Sequence, residues 1–133
     1  MKIINKYLQE STVFTSKFVL HRHNPRSGSE HYDLRFLDNY KKDVLNSFAF
    51  GKDFMEKLND RIVGVRTKEH LTRWLDLKSY RLEDIDKGEV DILISSFKYF
   101  KLEFRGNIMK GTYNLFKVKS GRGDNWMLVK NKK

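Results

Sequence analysis

Eight short segments in which apolar and polar residues alternate run the length of this chain: SKFVLHRH (16–23), HYDLRFLDNY (31–40), VLNSFAFG (44–51), RIVGVRT (61–67), GEVDILISSF (88–97), KYFKLEF (98–104), TYNLFKV (112–118) and WMLVK (126–130). Clusters of Gly, Asn and Asp separate several of them. A period of two is the spacing of half-buried strands, because successive side chains leave opposite faces of an extended backbone. Strands this short and this closely spaced do not fit a helical bundle; they close into a barrel or pack as a sandwich. The expected fold is therefore mainly β, a small closed or nearly closed antiparallel β-barrel with a few short helices. Helical spacing is confined to IINKYLQE (3–10), DFMEKLND (53–60) and SYRLEDIDK (79–87), which read as lids and plugs.

The chain has 133 residues, one proline and no low-complexity run, so one domain over 1–133 with a single core is expected. The absence of cysteine excludes a disulfide framework and a thiolate zinc site, leaving nitrogen and oxygen as the available metal donors. MKIINKYLQE lacks the unbroken apolar core of a signal peptide, and no later run has the roughly 20 apolar residues of a membrane helix. A soluble, cytoplasmic protein without membrane contact is the expectation. Lys and Arg number 27 against 17 Asp and Glu, a formal charge of +10, which favours a polyanionic partner through phosphate neutralisation and counterion release. Nucleic acid is the leading candidate.

Three of the four histidines fall within residues 21–31. With 17–23 and 31–40 as antiparallel strands joined by the turn formers of NPRSGSE (24–30), His31, Asp33 and Arg35 share one face of the second strand, about 7 Å between successive members. Tyr32, Leu34 and Phe36 share the other face, which is apolar. On the first strand His21 and His23 align with Val19, so one of them can approach His31 across the hairpin. Two imidazoles and a carboxylate suit manganese, iron or zinc better than calcium, and leave coordination positions open. Arg35 can hold an oxyanion presented to such a metal, because a guanidinium fork matches phosphate oxygens and keeps its charge. The plainer reading is a polar strand face neutralised by an Asp33–Arg35 ion pair.

FVLHRH (18–23) with HYDLRF (31–36) resembles the opening of the 3'-phosphoesterase domain of bacterial and archaeal DNA ligase D and its stand-alone relatives. SFAFGK (47–52) is similar to that family's Ser-Trp-Ala-Val-Pro-Lys strand and VRTKEHLTRWLDL (65–77) to its Val-Arg-Thr-Glu-Asp-His segment. GTYNLFKVKSGRGDNWMLVK (111–130) is similar to its closing hairpin, so the resemblance covers residues 16–130 in order. It implies a compact β-barrel that removes 3'-terminal ribonucleosides and 3'-phosphates from DNA or RNA ends with manganese or another divalent transition metal. By matching position, His23, His31 and Asp33 would be the metal ligands, Arg35 and Lys52 would clamp phosphate, and His70 would complete the catalytic set. Arg61, Arg66 and Trp74 would lie among the substrate contacts. His21 stands where the family commonly has glutamine and reads as a supporting or solvent-exposed residue. A separate DNA ligase is a possible partner by the same analogy.

Phosphate-ester hydrolysis needs charge neutralisation on the phosphoryl oxygens, a positioned water and a proton for the leaving 3'-oxygen. Metal, Arg35 and Lys52 would meet the first need, and His70 would transfer a proton or touch phosphate. The chain departs from the family pattern in its longer loop between His23 and His31, in Trp74 replacing a tyrosine, in Arg61 displaced by one position, and in the loop EDIDKGEVDI (83–92). These departures motivate a second reading, a catalytically decayed module that still binds nucleic-acid ends. A third, a two-histidine, one-carboxylate iron oxygenase, shares the His31-x-Asp33 and distant His70 pattern but leaves Arg35 and the basic charge unexplained.

Overall fold

The computed structural model describes residues 14–38, 43–119 and 123–132. Its strands are β1 (Phe14–His23), β2 (His31–Leu37), β3 (Val44–Phe50), β4 (Arg61–Leu71), β5 (Leu82–Ser96), β6 (Tyr99–Arg105), β7 (Lys110–Lys117) and β8 (Asn125–Lys130). They close into a barrel in the order β1-β2-β3-β4-β8-β7-β6-β5, every neighbouring pair antiparallel. Over the described residues, each alternating segment read from the sequence overlaps one of these strands. No helix among the described residues is long and apolar enough to cross a membrane.

Alternation fills the barrel. Phe18, Leu20, Leu34, Phe36, Phe48 and Phe50 point inward from β1, β2 and β3 and meet Val90, Ile92, Phe100, Leu102 and Phe104 from β5 and β6. Aromatic edges meet faces across this interior, with Phe36 and Phe100 at 5.2 Å and Phe48 and Trp126 at 5.2 Å between ring centroids. The expected helix in 53–60 forms as α1 (Phe54–Lys57). It acts as a plug: Phe54 is buried against Tyr32 at 5.5 Å and Phe50 at 5.0 Å. β3 and β4 approach closely at Gly64, where an added Cβ would stand 2.4 Å from the Phe50 ring.

One turn is organised by a buried carboxylate. Asp86 on β5 accepts hydrogen bonds from the backbone N–H groups of Lys87, Asn107, Ile108 and Met109, at 2.8 to 2.9 Å, and so fixes the β6–β7 connection. Donors that a tight turn would leave unpaired are satisfied inside the protein.

The expectation of a helix around SYRLEDIDK is corrected by the structure. Residues 79–82 form a turn and Leu82 begins β5, which pairs with β1 along the whole of that strand. The i, i+3 spacing of Leu82 and Ile85 imitates a helical turn because a register shift inserts an extra β5 residue near Ile85, and Ile85 packs against the core. A bulge breaks the period of two as a helix would. The remaining helical expectation, IINKYLQE, lies outside the described residues.

Candidate metal centre

The polar faces of β1 and β2 meet on the outer side of the barrel wall, away from the core cluster. His21 is the Cα partner of Asp33, and His23 of His31. This pairing brings the expected ligands together: one donor atom each from His23, His31 and Asp33 lie within 4.8 Å of one another. His23 Nδ1 is 3.3 Å from Asp33 Oδ2 and His31 Nε2 is 3.3 Å from Asp33 Oδ1, with the two imidazole rings edge to face at 4.9 Å.

The donor chemistry fits a metal. His31 Nδ1–H donates to the Ser29 carbonyl at 2.9 Å, which fixes its tautomer and turns Nε2 toward Asp33. The Nε2 lone pair then faces Asp33 Oδ1 at 3.3 Å, an arrangement that a bound cation would bridge. Burial holds the His23 imidazole below the ordinary histidine range, aided by His31 and Arg35 and opposed by Asp33. A neutral imidazole is the ligand form.

Arg35 lies next to this set. Its Nη2 donates to Asp33 Oδ2 at 3.1 Å and its Nη1 to His21 Nδ1 at 3.3 Å. The guanidinium is buried; burial pulls its pKa below the ordinary value, Asp33 opposes this, and the group keeps its charge at working pH. Its Nε is buried without a hydrogen-bond partner among the described residues, as is Oγ of Ser47, the Cα partner of Arg35 on β3. Trp74, in the 3-10 turn Thr72–Leu75, lies over the guanidinium at 4.7 Å and against the His70 ring at 4.5 Å. His70 is held below the ordinary histidine range by burial, reinforced by Arg35, so its imidazole is neutral near pH 7.

A bulge delivers His70 to this face. Ser47 pairs with Thr67 but Leu45 pairs with His70, three steps on β4 against two on β3. Without it His70 would share the inward face with Arg66. Arg66 does face that way, donating to Asn46 Oδ1 at 2.7 Å and lying over the Phe48 and Trp126 rings. The structure therefore does not bring Arg66 to the cluster. Arg61 is exposed at the start of β4, 4.0 Å from Asp60, and also stands apart. Lys52 is exposed in the turn after β3, without an ion pair among the described residues; Phe50, two positions earlier, pairs with Tyr32 beside His31.

Two residues gain a role that the sequence left open or hid. His21 is fully buried rather than exposed. Because its Nδ1 accepts from Arg35, its proton sits on Nε2, 3.0 Å from Asp84 Oδ1. Burial, with Arg35, keeps this imidazole below the usual range, against the pull of Asp84. Asp84 reaches His21 through the second bulge, since Leu20 pairs with Asp86 but His21 with Asp84. No signal in SYRLEDIDK marks that contact. No protein-family model matches the chain, and no curated protein matches it.

Proposed function

We propose that this protein is a metal-dependent phosphoesterase acting at the 3' ends of nucleic acid, where it removes a 3'-phosphate or a 3'-terminal ribonucleoside. The observation that carries the reading is the juxtaposition of three metal-donor side chains within 4.8 Å with the buried Arg35 guanidinium 3.1 Å from one of them. The formal charge of +10 supports a polyanionic substrate.

A divalent transition metal such as manganese, held by His23, His31 and Asp33, supplies Lewis-acid neutralisation of charge on the phosphoryl oxygens. The other roles fall to the chain. Arg35 is locked by Asp33, His21 and Trp74, so its charge is preorganised where phosphate charge develops, with Nε free of any internal partner among the described residues. Neutral His70 suits the removal of a proton from an attacking water and, once protonated, its return to the leaving oxygen. Lys52, exposed in the turn after β3, offers a cation to an incoming phosphate.

The reading is tested with end-labelled DNA bearing either a 3'-phosphate or one 3'-ribonucleotide, incubated with manganese or with chelator, and with the His31→Ala protein as control. Manganese-dependent trimming that the variant lacks is the expected result. Salt-sensitive binding without trimming would overturn it in favour of a decayed end-binding module. Iron-dependent oxygen consumption with a 2-oxo acid would overturn it in favour of an oxygenase.

A further inference from the structure

Tyr80 is 85% exposed, yet the turn that carries it is held from several sides. Leu82 N–H donates to the Ser79 carbonyl at 3.0 Å, and Arg81 N–H donates to Ser79 Oγ at 3.2 Å. The same turn is tied to the residue after His23: Asn24 N–H donates to the Arg81 carbonyl at 2.9 Å, and Arg81 Nη1 donates to the Asn24 carbonyl at 3.3 Å. The Arg81 guanidinium lies over the Tyr80 ring at 4.7 Å. An aromatic ring is thus presented to solvent on a fixed support, with a cation on one face.

Beside the ring is an open recess of about 480 Å³ lined by Lys78, Ser79, Tyr80, Leu82 and Asp84. Two of these residues connect it to the metal centre. Leu82 is the strand partner of His23, and Asp84 Oδ1 lies 3.0 Å from His21 Nε2. Lys78 Nζ bonds Asp84 Oδ2 at 2.9 Å, so the acid that lines the recess among the described residues is paired with a lysine of the same recess. The Tyr80 ring with Arg81 on one face, the Leu82 wall and the Lys78 amine, next to the candidate metal centre, form a combination suited to an unpaired base together with its backbone.

We infer that this recess seats the terminal nucleobase of a single-stranded 3' end, stacked on Tyr80, while the adjoining phosphate lies at Arg35 and the metal ligands. This rests on the phosphoesterase reading, which supplies the position of the strand end. Stacking on one ring is tolerant of base identity, because every base has a π-face. The recess therefore selects for an unpaired end rather than for a sequence, and a duplex terminus must fray to use it. The fixed turn limits the ordering cost of binding.

The test uses a short oligodeoxynucleotide ending in 3'-phosphorylated 2-aminopurine, titrated into the protein in chelator so that no hydrolysis intervenes. Quenching of the terminal fluorophore by the wild-type protein is expected. Tyr80→Ala should bind about tenfold more weakly and lose the quenching, whereas Tyr80→Phe keeps both. A strand with an abasic terminal position should bind the wild-type and Tyr80→Ala proteins alike. Equal affinity and quenching in the wild-type and Tyr80→Ala proteins would overturn the inference. If the wild-type protein trims ends in manganese without any dependence of binding on Tyr80, the subsite falls alone. Tyr80-dependent stacking with no trimming under any metal would overturn the phosphoesterase reading and leave the base-binding recess.

Discussion

Asp33 and Arg35, two positions apart on the outer face of β2, form an ion pair in which Nη2 donates to Oδ2 at 3.1 Å with both side chains at most 4% exposed. A pair this dry is costly to break from one side, because the remaining charge keeps its desolvation penalty and loses its compensation. Arg35→Met is expected to lower stability by about 3 kcal/mol, the lower end for a buried pair, since His23 and His31 also face Asp33. Urea unfolding measures this, and manganese should restore part of the loss by replacing the missing positive charge. A midpoint equal to that of the wild type would show that Asp33 does not depend on Arg35.

His31→Ala separates metal binding from folding. The His31 side chain is 28% exposed and makes its hydrogen bond to a loop carbonyl, so its removal should change stability by no more than about 1 kcal/mol. Manganese affinity, read by isothermal titration calorimetry, should fall by more than the roughly ten- to hundredfold typical of losing a supporting contact to a ligand. Unchanged affinity would remove His31 from the ligand set.

Asp86→Ala acts far from that chemistry. It strips the acceptor from the N–H groups of Asn107, Ile108 and Met109 at the β6–β7 turn, and each orphaned donor that stays buried costs about 1–3 kcal/mol. A total loss of about 3 kcal/mol or more in thermal unfolding is expected, with manganese affinity in the surviving folded fraction unchanged. Loss of metal binding at full stability would contradict this division of labour.

The acid limb of stability should report Asp91. Hydrogen bonds from Arg105, reinforced by Thr15, hold its carboxyl below the ordinary aspartate range, against the opposing effect of burial. The unfolded chain takes up the proton near pH 3.9 while the folded protein still refuses it, so the unfolded state binds more protons in that window. The contribution is fully present above about pH 4 to 5 and is lost as pH falls through the folded value. Asp91→Asn should therefore flatten the decline in stability below about pH 4.5, measured by urea unfolding across a pH series; an unchanged slope would mean that the ion pair does not form in solution.

Much of the molecule is legible in local pattern. The alternation in HYDLRF and FVLHRH places Leu34 and Phe36 with Phe18 and Leu20 in the core, and leaves His31, Asp33 and Arg35 with His21 and His23 on the other side. Candidate ligands carried by one hairpin can be found this way, because a short connection brings its two strands into contact. The loop of seven residues between His23 and His31 does not disturb this, since the two histidines still pair directly. Lys52, Arg61 and Arg66 are harder, because their positions depend on where a strand ends or on which side of the wall it turns.

The sequence by itself determined the existence of eight strands, their two faces and the juxtaposition of His23, His31, Asp33 and Arg35, because a period of two and a hairpin connection are local properties of the chain. Tertiary structure decided how the remaining residues reach the candidate site. His70 and Arg66, both even-numbered on β4, lie on opposite faces because of the bulge against β3, and Asp84 meets His21 because of the bulge against β1. A bulge is a mismatch in count between two strands, and the count exists only once both strands are paired. The same pairing folds Trp74 over Arg35 and ties the Tyr80 turn to Asn24, contacts between segments that are far apart in sequence.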